Sequence, residues 1–266
     1  MAFQADGGNL HMGRGAVFAR RIEAAGTAHG FLFLGQSTRF GIQMNAEFAE
    51  ERSAVEASAP TVKKMATRVS PEILITLKEY KSDNLSLVFL GSRTANIQAA
   101  TAITNEVFND VKQGRYIKLA KVGPVTGVNV EPSPTGTAYV LGTDYSIEDG
   151  AVPMIYIIPG GGIADGTEIQ VDYVPTAYAS PGLEEINGAV QPLVECELLF
   201  RPDPASGPKL KVEVWRTSIS SEGLVEMIQH ETNEFPSFEI KGAVLSDAAV
   251  HPTCPYFKLT KLGIVT

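Results

Sequence analysis

Cysteine is nearly absent. Cys196 and Cys254 are the only two in 266 residues, and neither belongs to a CxxC pair, so zinc-ribbon and dithiol redox chemistry are excluded. A bridge between them is open on the sequence alone, but two packed, reduced thiols are the expected state. Histidine is scarce as well. His11, His29, His230 and His251 include no i, i+4 pair, so a helical zinc motif is missing. No Gly-x-Ser-x-Gly elbow occurs, and no recognised sequence surrounds either cysteine. Pro159-Gly160-Gly161-Gly162 is the most glycine-dense stretch. It lacks the Gly-Lys-Ser/Thr and helix of a phosphate loop, and Thr167 opens an alternating strand instead, so a hairpin turn is expected. Asp144, Asp149, Asp165 and Asp172 do not keep the spacing of a calcium loop. Carboxylate pairs such as Glu184-Glu185 read as solvated surface. The expectation is a protein that is not an enzyme and has no metal and no cofactor.

Long hydrophobic runs are missing too. No stretch of about 18 apolar residues exists, so no transmembrane helix and no membrane partner are expected. The first residues, MAFQADGGNLHMGRG, lack a basic head followed by an apolar core, so no signal peptide is expected and a cytoplasmic origin follows. Basic residues are outnumbered: the formal net charge is −8. That balance excludes an exposed nucleic-acid footprint, which needs clustered Lys and Arg against phosphate.

What the chain does have is apolar content of 44%, with 25 glycines and 16 prolines. Such a chain buries a core and turns often. The run from Gly35 to Gly91 is the clearest. Phe40, Ile42, Met44, Ala46 and Phe48 fall on every second position. Met65, Thr67, Val69, Ile73, Ile75 and Leu77 do so again. A period of two predicts strands with one buried face. Two long strands are therefore expected, joined by Ser53–Pro60. A short helix follows, capped by Ser82 or Asp83 and ended by Gly91.

The rest reads as follows. Residues 1–28 form an N-terminal arm, with Val17, Phe18 and Ile22 set among Arg14, Arg20 and Arg21. Residues 91–114 are either a short helix or an irregular strand pair. Short apolar runs between turn words fill a β-rich lobe over 115–180, expected as an insertion. Ser180–Gln191 is a linker. Val194, Cys196, Leu198 and Phe200, then Leu210, Val212 and Val214, form inward rows. Ser221–Gln229 is a helical turn or short strand, and Ser237–Val244 and Tyr256–Leu262 close the fold. The predicted class is mainly β: an antiparallel β-sandwich or barrel over 29–114 and 190–266, with a short flanking helix and the inserted lobe.

Several stretches carry a family resemblance. They are Phe33-Leu34-Gly35-Gln36, the strand end Glu47-Phe48-Ala49-Glu50-Glu51-Arg52, and the close Asn84-Leu85-Ser86-Leu87-Val88-Phe89-Leu90-Gly91. Gly142-Thr143-Asp144-Tyr145, Ile169-Gln170-Val171-Asp172-Tyr173, Gly242-Ala243-Val244-Leu245-Ser246-Asp247 and Pro255-Tyr256-Phe257 add to them. In this order the chain resembles a bacteriophage tail tube (major tail) protein. The resemblance implies a structural virion protein of the viral tail, assembled in the host cytoplasm. It implies homohexameric rings formed by self-assembly and stacked axially, with double-stranded DNA passing through during ejection. Tape-measure, tail terminator and tail-tip proteins would be further partners. On that reading Glu47, Glu51 and Glu72 are lumen candidates. Glu56, Ser58, Lys63 and Lys64 are inter-ring loop candidates, and Arg14, Phe18, Arg20 and Arg21 are the arm's contacts. The alternative is a soluble carbohydrate-binding or adhesin-like β module, with Tyr139, Tyr145, Tyr156, Tyr173 and Tyr178 as its aromatic platforms.

Overall fold

The structure, a computed structural model, describes residues 10–23, 26–27, 30–55, 57–220, 224–228 and 235–262. Two compact units divide the chain. One holds Met1–Arg93 and Ile186–Thr266, the other Thr94–Glu185. The fold is mainly β, as the alternation predicts, with several antiparallel sheets and one helix among the described residues.

The chain opens with β1 (Gly15–Glu23), β2 (Gly26–Thr27), β3 (Leu32–Phe33), β4 (Ser37–Arg52) and β5 (Thr61–Leu77). Helix α1 (Ser82–Val88) and β6 (Ser92–Gln98) follow. The lobe contributes β7 (Ile103–Val111), β8 (Tyr116–Lys118), β9 (Val125–Pro132), β10 (Tyr145–Glu148), β11 (Met154–Ile157) and β12 (Thr167–Pro175). The return is β13 (Tyr178–Asn187), β14 (Val194–Pro202), β15 (Lys209–Ser220), β16 (Phe238–Val244) and β17 (Phe257–Leu262).

In the first unit the sheet order is β2-β1-β14-β15-β16-β5-β4, with β3 also on β1 and β17 also on β15. The inward rows read from the sequence are the ones enclosed. Val17, Ile75, Cys196, Val214 and Ile240, from five different strands, lie in one core. Phe40 of β4 stacks on Phe200 of β14, ring centroids 5.3 Å apart and 11° from parallel. Strands far apart in the sheet order thus face each other across that core, as in a sandwich. Each fully enclosed aliphatic side chain contributes about 1.5–3 kcal/mol. Both cysteines are free thiols. Burial pushes the Cys196 thiol up to about 12, so it stays protonated and serves as packing.

Helix α1 forms where its sequence placed it, but its ends differ from expectation. Lys81 is the N-cap and gives no side-chain cap; Asp83 sits in the first turn, where a negative charge suits the helix dipole. At the other end Leu90, at φ 47°, takes the left-handed position that glycine usually fills. The Gly91 N–H then reaches the Ser86 carbonyl at 2.8 Å and the Leu90 N–H the Leu87 carbonyl at 3.3 Å. Gly91 is needed for a different reason. A Cβ there would stand 2.6 Å from the Asn187 carbonyl oxygen. Gly91→Ala should therefore cost about 1–3 kcal/mol, since backbone must move. A thermal melt superimposable on the parent's would refute that. Asn84 is fully buried on α1 and donates from Nδ2 to the Leu34 carbonyl at 2.7 Å and the Glu79 carbonyl at 3.1 Å.

The lobe has its own core. Sheets β7-β12-β9 and β10-β11-β8 enclose Val130, Ile155, Ile157, Ile163, Ile169 and Val171. The glycine-dense stretch is a turn, as predicted, but not a hairpin: it links β11 and β12, which belong to different sheets. Asp144 holds it, accepting the Gly162 N–H at 2.6 Å and the Val140 N–H at 2.7 Å. Those two donors keep its carboxyl below the ordinary carboxylate range.

Several stretches differ from the sequence expectation. Gly15–Glu23 is not an arm but β1, inside the sheet and paired with β14 from Gly15↔Pro202 to Ile22↔Glu195. Burial of Val17 and Ala19 draws it in. The compact lobe starts at Thr94 rather than 115, because β7 pairs with β12 and the irregular strand reading of 91–114 is the one realised. The expected linker is largely β13, which pairs with β6. Thr137–Gly142 forms no strand beyond a single bridge at Leu141. Leu224–Ile228 has no regular structure; the rest of Ser221–Gln229 lies outside the described residues.

Candidate functional site

The hairpin of β4 and β5 is the site to which the sequence pointed. Its strands pair antiparallel from Ser37↔Leu77 to Arg52↔Thr61, about 50 Å of ribbon at ~3.3 Å per residue. The Ser53 N–H donates to the Pro60 carbonyl at 2.9 Å and closes the tip. The inner half is anchored: Ile73, Ile75 and Leu77 are buried, and β16 pairs with β5 from Phe238↔Leu77 to Ala243↔Glu72. Beyond Glu72 that support ends. β4 is already the last strand of the sheet. The outer half therefore presents unpaired backbone donors and acceptors along both edges, among the described residues.

The side chains of the outer half are also unusual. The apolar row of β4 continues past the core into solvent, leaving Met44 56% and Phe48 53% exposed. Charge divides by strand. β4 carries Glu47, Glu50 and Glu51, offset only by Arg52 at its end; β5 carries Lys63, Lys64 and Arg68. Within the ribbon Glu50 pairs with Lys64 at 2.7 Å and Glu47 approaches Arg68 at 3.9 Å. These pairs are exposed, worth about 0–1 kcal/mol each. At the root a cavity of about 590 Å³ opens between Phe40, Ile42, Met44 and Leu259, with Arg14 and Arg39 on its wall.

The three lumen candidates share one face. Register sets Glu72 opposite Gln43, Glu47 opposite Arg68 and Glu51 opposite Lys63. All three are exposed. With Arg68 and Lys63 between them, this face is mixed in charge within one chain rather than acidic. Of the loop candidates, Ser58 is exposed in the turn, Lys63 and Lys64 are strand residues of β5, and Glu56 lies outside the described residues. The arm candidates are engaged within their own chain. Phe18 packs on Phe33 with centroids at 5.4 Å, Arg20 pairs with Glu197, and Arg21 bonds Gln191 and, at 3.3 Å, the Gly91 carbonyl. A strand with two buried positions fixes its neighbours' side chains, which is why these arginines stay home. Arg14 lines the cavity at the ribbon's root.

A bulge between Glu47 and Phe48 escaped the sequence reading. Glu47 faces Arg68 but Phe48 faces Ala66, leaving Thr67 as an extra residue on β5. Met65 therefore moves off the face of Val69 and lies opposite Ala49, whereas strict alternation placed both on one side. Lys64 takes the vacated face, its ammonium 4.7 Å from the Phe48 ring.

Of the aromatic platforms, Tyr145 and Tyr173 are enclosed in the lobe core and Tyr139 packs against it. Burial, with the Tyr173 hydroxyl donating to Glu106 at 2.6 Å, raises the Tyr173 phenol to about 12. Among the described residues no cluster of three or more His, Cys, Asp or Glu could hold a metal, and no helix is long and apolar enough to cross a membrane.

A family model described as a protein of unknown function, UCP028589, matches residues 10–259. The chain belongs to that family. The match takes in both strands of the ribbon, the whole lobe and the first half of β17. No curated protein matches the chain.

Proposed function

We propose that this protein is a structural subunit that assembles with copies of itself into stacked rings, forming a tail tube through which double-stranded DNA passes. The observation that carries this reading is the outer ribbon, open along both edges and acidic on one strand, basic on the other. Edges of that kind are completed by another chain. In a ring, β4 of one copy lies beside β5 of the next, antiparallel, with Glu47, Glu50 and Glu51 facing Lys63, Lys64 and Arg68 of the neighbour. The contact is two-faced and heterologous, so it closes when the rotation fits and stacks axially. Six copies join their ribbons into one barrel.

Glu72 and the odd-numbered glutamates of β4 then face the channel. DNA carries one charge per ~1.7 Å of axis; on that face Glu47, Glu51 and Glu72 offset Lys63 and Arg68, so the bore does not hold the phosphates and the duplex slides. Tape-measure, terminator and tail-tip proteins would meet the ends of such a tube.

Electron microscopy of the purified full chain over a range of concentrations tests the assembly. Rings or hollow tubes are expected; a subunit that stays solitary at high concentration refutes it. Reversing Glu72 to Lys, an exposed acid of the channel face that takes no part in the pairing between ribbons, tests the channel. Tubes should persist while DNA ejection slows, and unchanged ejection would remove the role given to that acid.

A further inference from the structure

The outward face of the small sheet β10-β11-β8 carries a second surface, wholly within the lobe. Across it, Tyr116, Tyr156 and Ser146 stand in one row and Lys118, Met154 and Glu148 in the next. The opposite face, with Ile117, Ile147 and Ile155, belongs to the lobe core. Tyr116 and Tyr156 form a pair with ring centroids 4.7 Å apart and planes 39° from parallel. Tyr116 is 55% exposed. Beside this pair runs a cleft of about 500 Å³ lined by Tyr116, Arg115, Lys112 and Asp110. Lys112 is committed to Asp110 at 2.6 Å. Arg115 has no carboxylate partner among the described residues.

We propose that this face binds a saccharide, stacked on Tyr116 and Tyr156 and preferring sugars that carry a carboxylate. The dimensions choose the occupant. Three strands of three or four residues, at ~4.8 Å between strands and ~3.3 Å per residue, cover about 150 Å². A stable protein contact needs about 800 Å² from each partner. A single pyranose fits the smaller figure. Its C–H face lies on an aromatic ring as an apolar group does, while its hydroxyls reach the two phenols, Ser146, Lys118 and Glu148. Arg115, at the cleft edge, offers a planar pair of donors that a uronate carboxylate accepts. The exposed Tyr116 is absent from the aromatic residues singled out in the sequence, because a tyrosine opening YIKLAKV reads as an ordinary strand residue. Its cross-strand pairing with Tyr156 is what makes the shelf.

This inference stands apart from the ribbon, and its test works on monomers and on assemblies alike. Saturation-transfer NMR on the full chain, observing methyl glucuronide and methyl glucoside, reads contact from the sugar side. Transfer to the ring C–H protons of both is expected, with a low-millimolar Kd, the range open to a ligand of about a dozen heavy atoms. The glucuronide should bind about fivefold tighter, one exposed charge pair. Tyr116→Ala should abolish transfer and Tyr116→Phe keep most of it, both with parental melts. Arg115→Gln should level the two sugars without losing the glucoside. No transfer at ~50 mM, or equal transfer in Tyr116→Ala, would overturn the site; equal affinity for both sugars in the parent would overturn the role of Arg115.

Discussion

Cutting the ribbon back should leave a well-folded subunit that no longer assembles. Residues 46–69 replaced by Asn-Gly would join Asn45 to Ser70, which already face each other, through a two-residue turn suited to a hairpin. The excised side chains include Phe48, Val62, Met65 and Val69, all substantially exposed. None belongs to the enclosed core, so the melting temperature should stay within about 2 °C. Both open edges and the charge division disappear together. Sedimentation velocity should then show monomer at concentrations where the parent forms rings. Rings from the shortened chain would mean that another surface drives assembly, and the channel reading would lose its support.

Asn84→Ala should cause the largest loss of stability from a polar side chain. The buried carbonyl of Leu34 and the part-buried carbonyl of Glu79 lose their donor at once. Each unsatisfied acceptor costs about 1–3 kcal/mol, so a loss of about 3 kcal/mol follows, or roughly 6–12 °C in a unit of this size. Asn84→Asp should be worse at neutral pH, because a carboxylate would face carbonyl oxygens. Its folded-state pKa is then raised above the unfolded value of about 3.9. Such a variant is most stable below that pH and weakens as pH rises. Melts of Asn84→Asp at pH 4 and pH 8 check the sign. A variant more stable at pH 8 would show that the side chain is not lodged between those carbonyls.

Much of this fold is legible in the sequence because burial writes a period of two. Phe40 and Ile42, Ile73 to Leu77 and Val194 to Leu198 are where alternation placed them. Alternation fails where the ribbon leaves the core: nothing enforces one face there, and the extra Thr67 reverses the sides beyond it. The arm reading failed for the opposite reason. Arginines among small residues resemble a loose end, but Val17 and Ala19 supply the two buried positions that set β1 into the sheet. Asn84 gave no warning, since a polar residue in a short helix ordinarily faces water. The tyrosine shelf was invisible because pairing across strands is settled by register, which local sequence does not record.

The two-stranded connection of β6 with β13 has one last implication. Departure from the main scaffold and re-entry happen on adjacent, paired lengths of backbone. An insert with neighbouring ends is tolerated by its host. What occupies residues 94–185 is thus a cassette: evolution, or an engineer, could exchange it for another folded cargo without rewriting the registry on which self-assembly would depend.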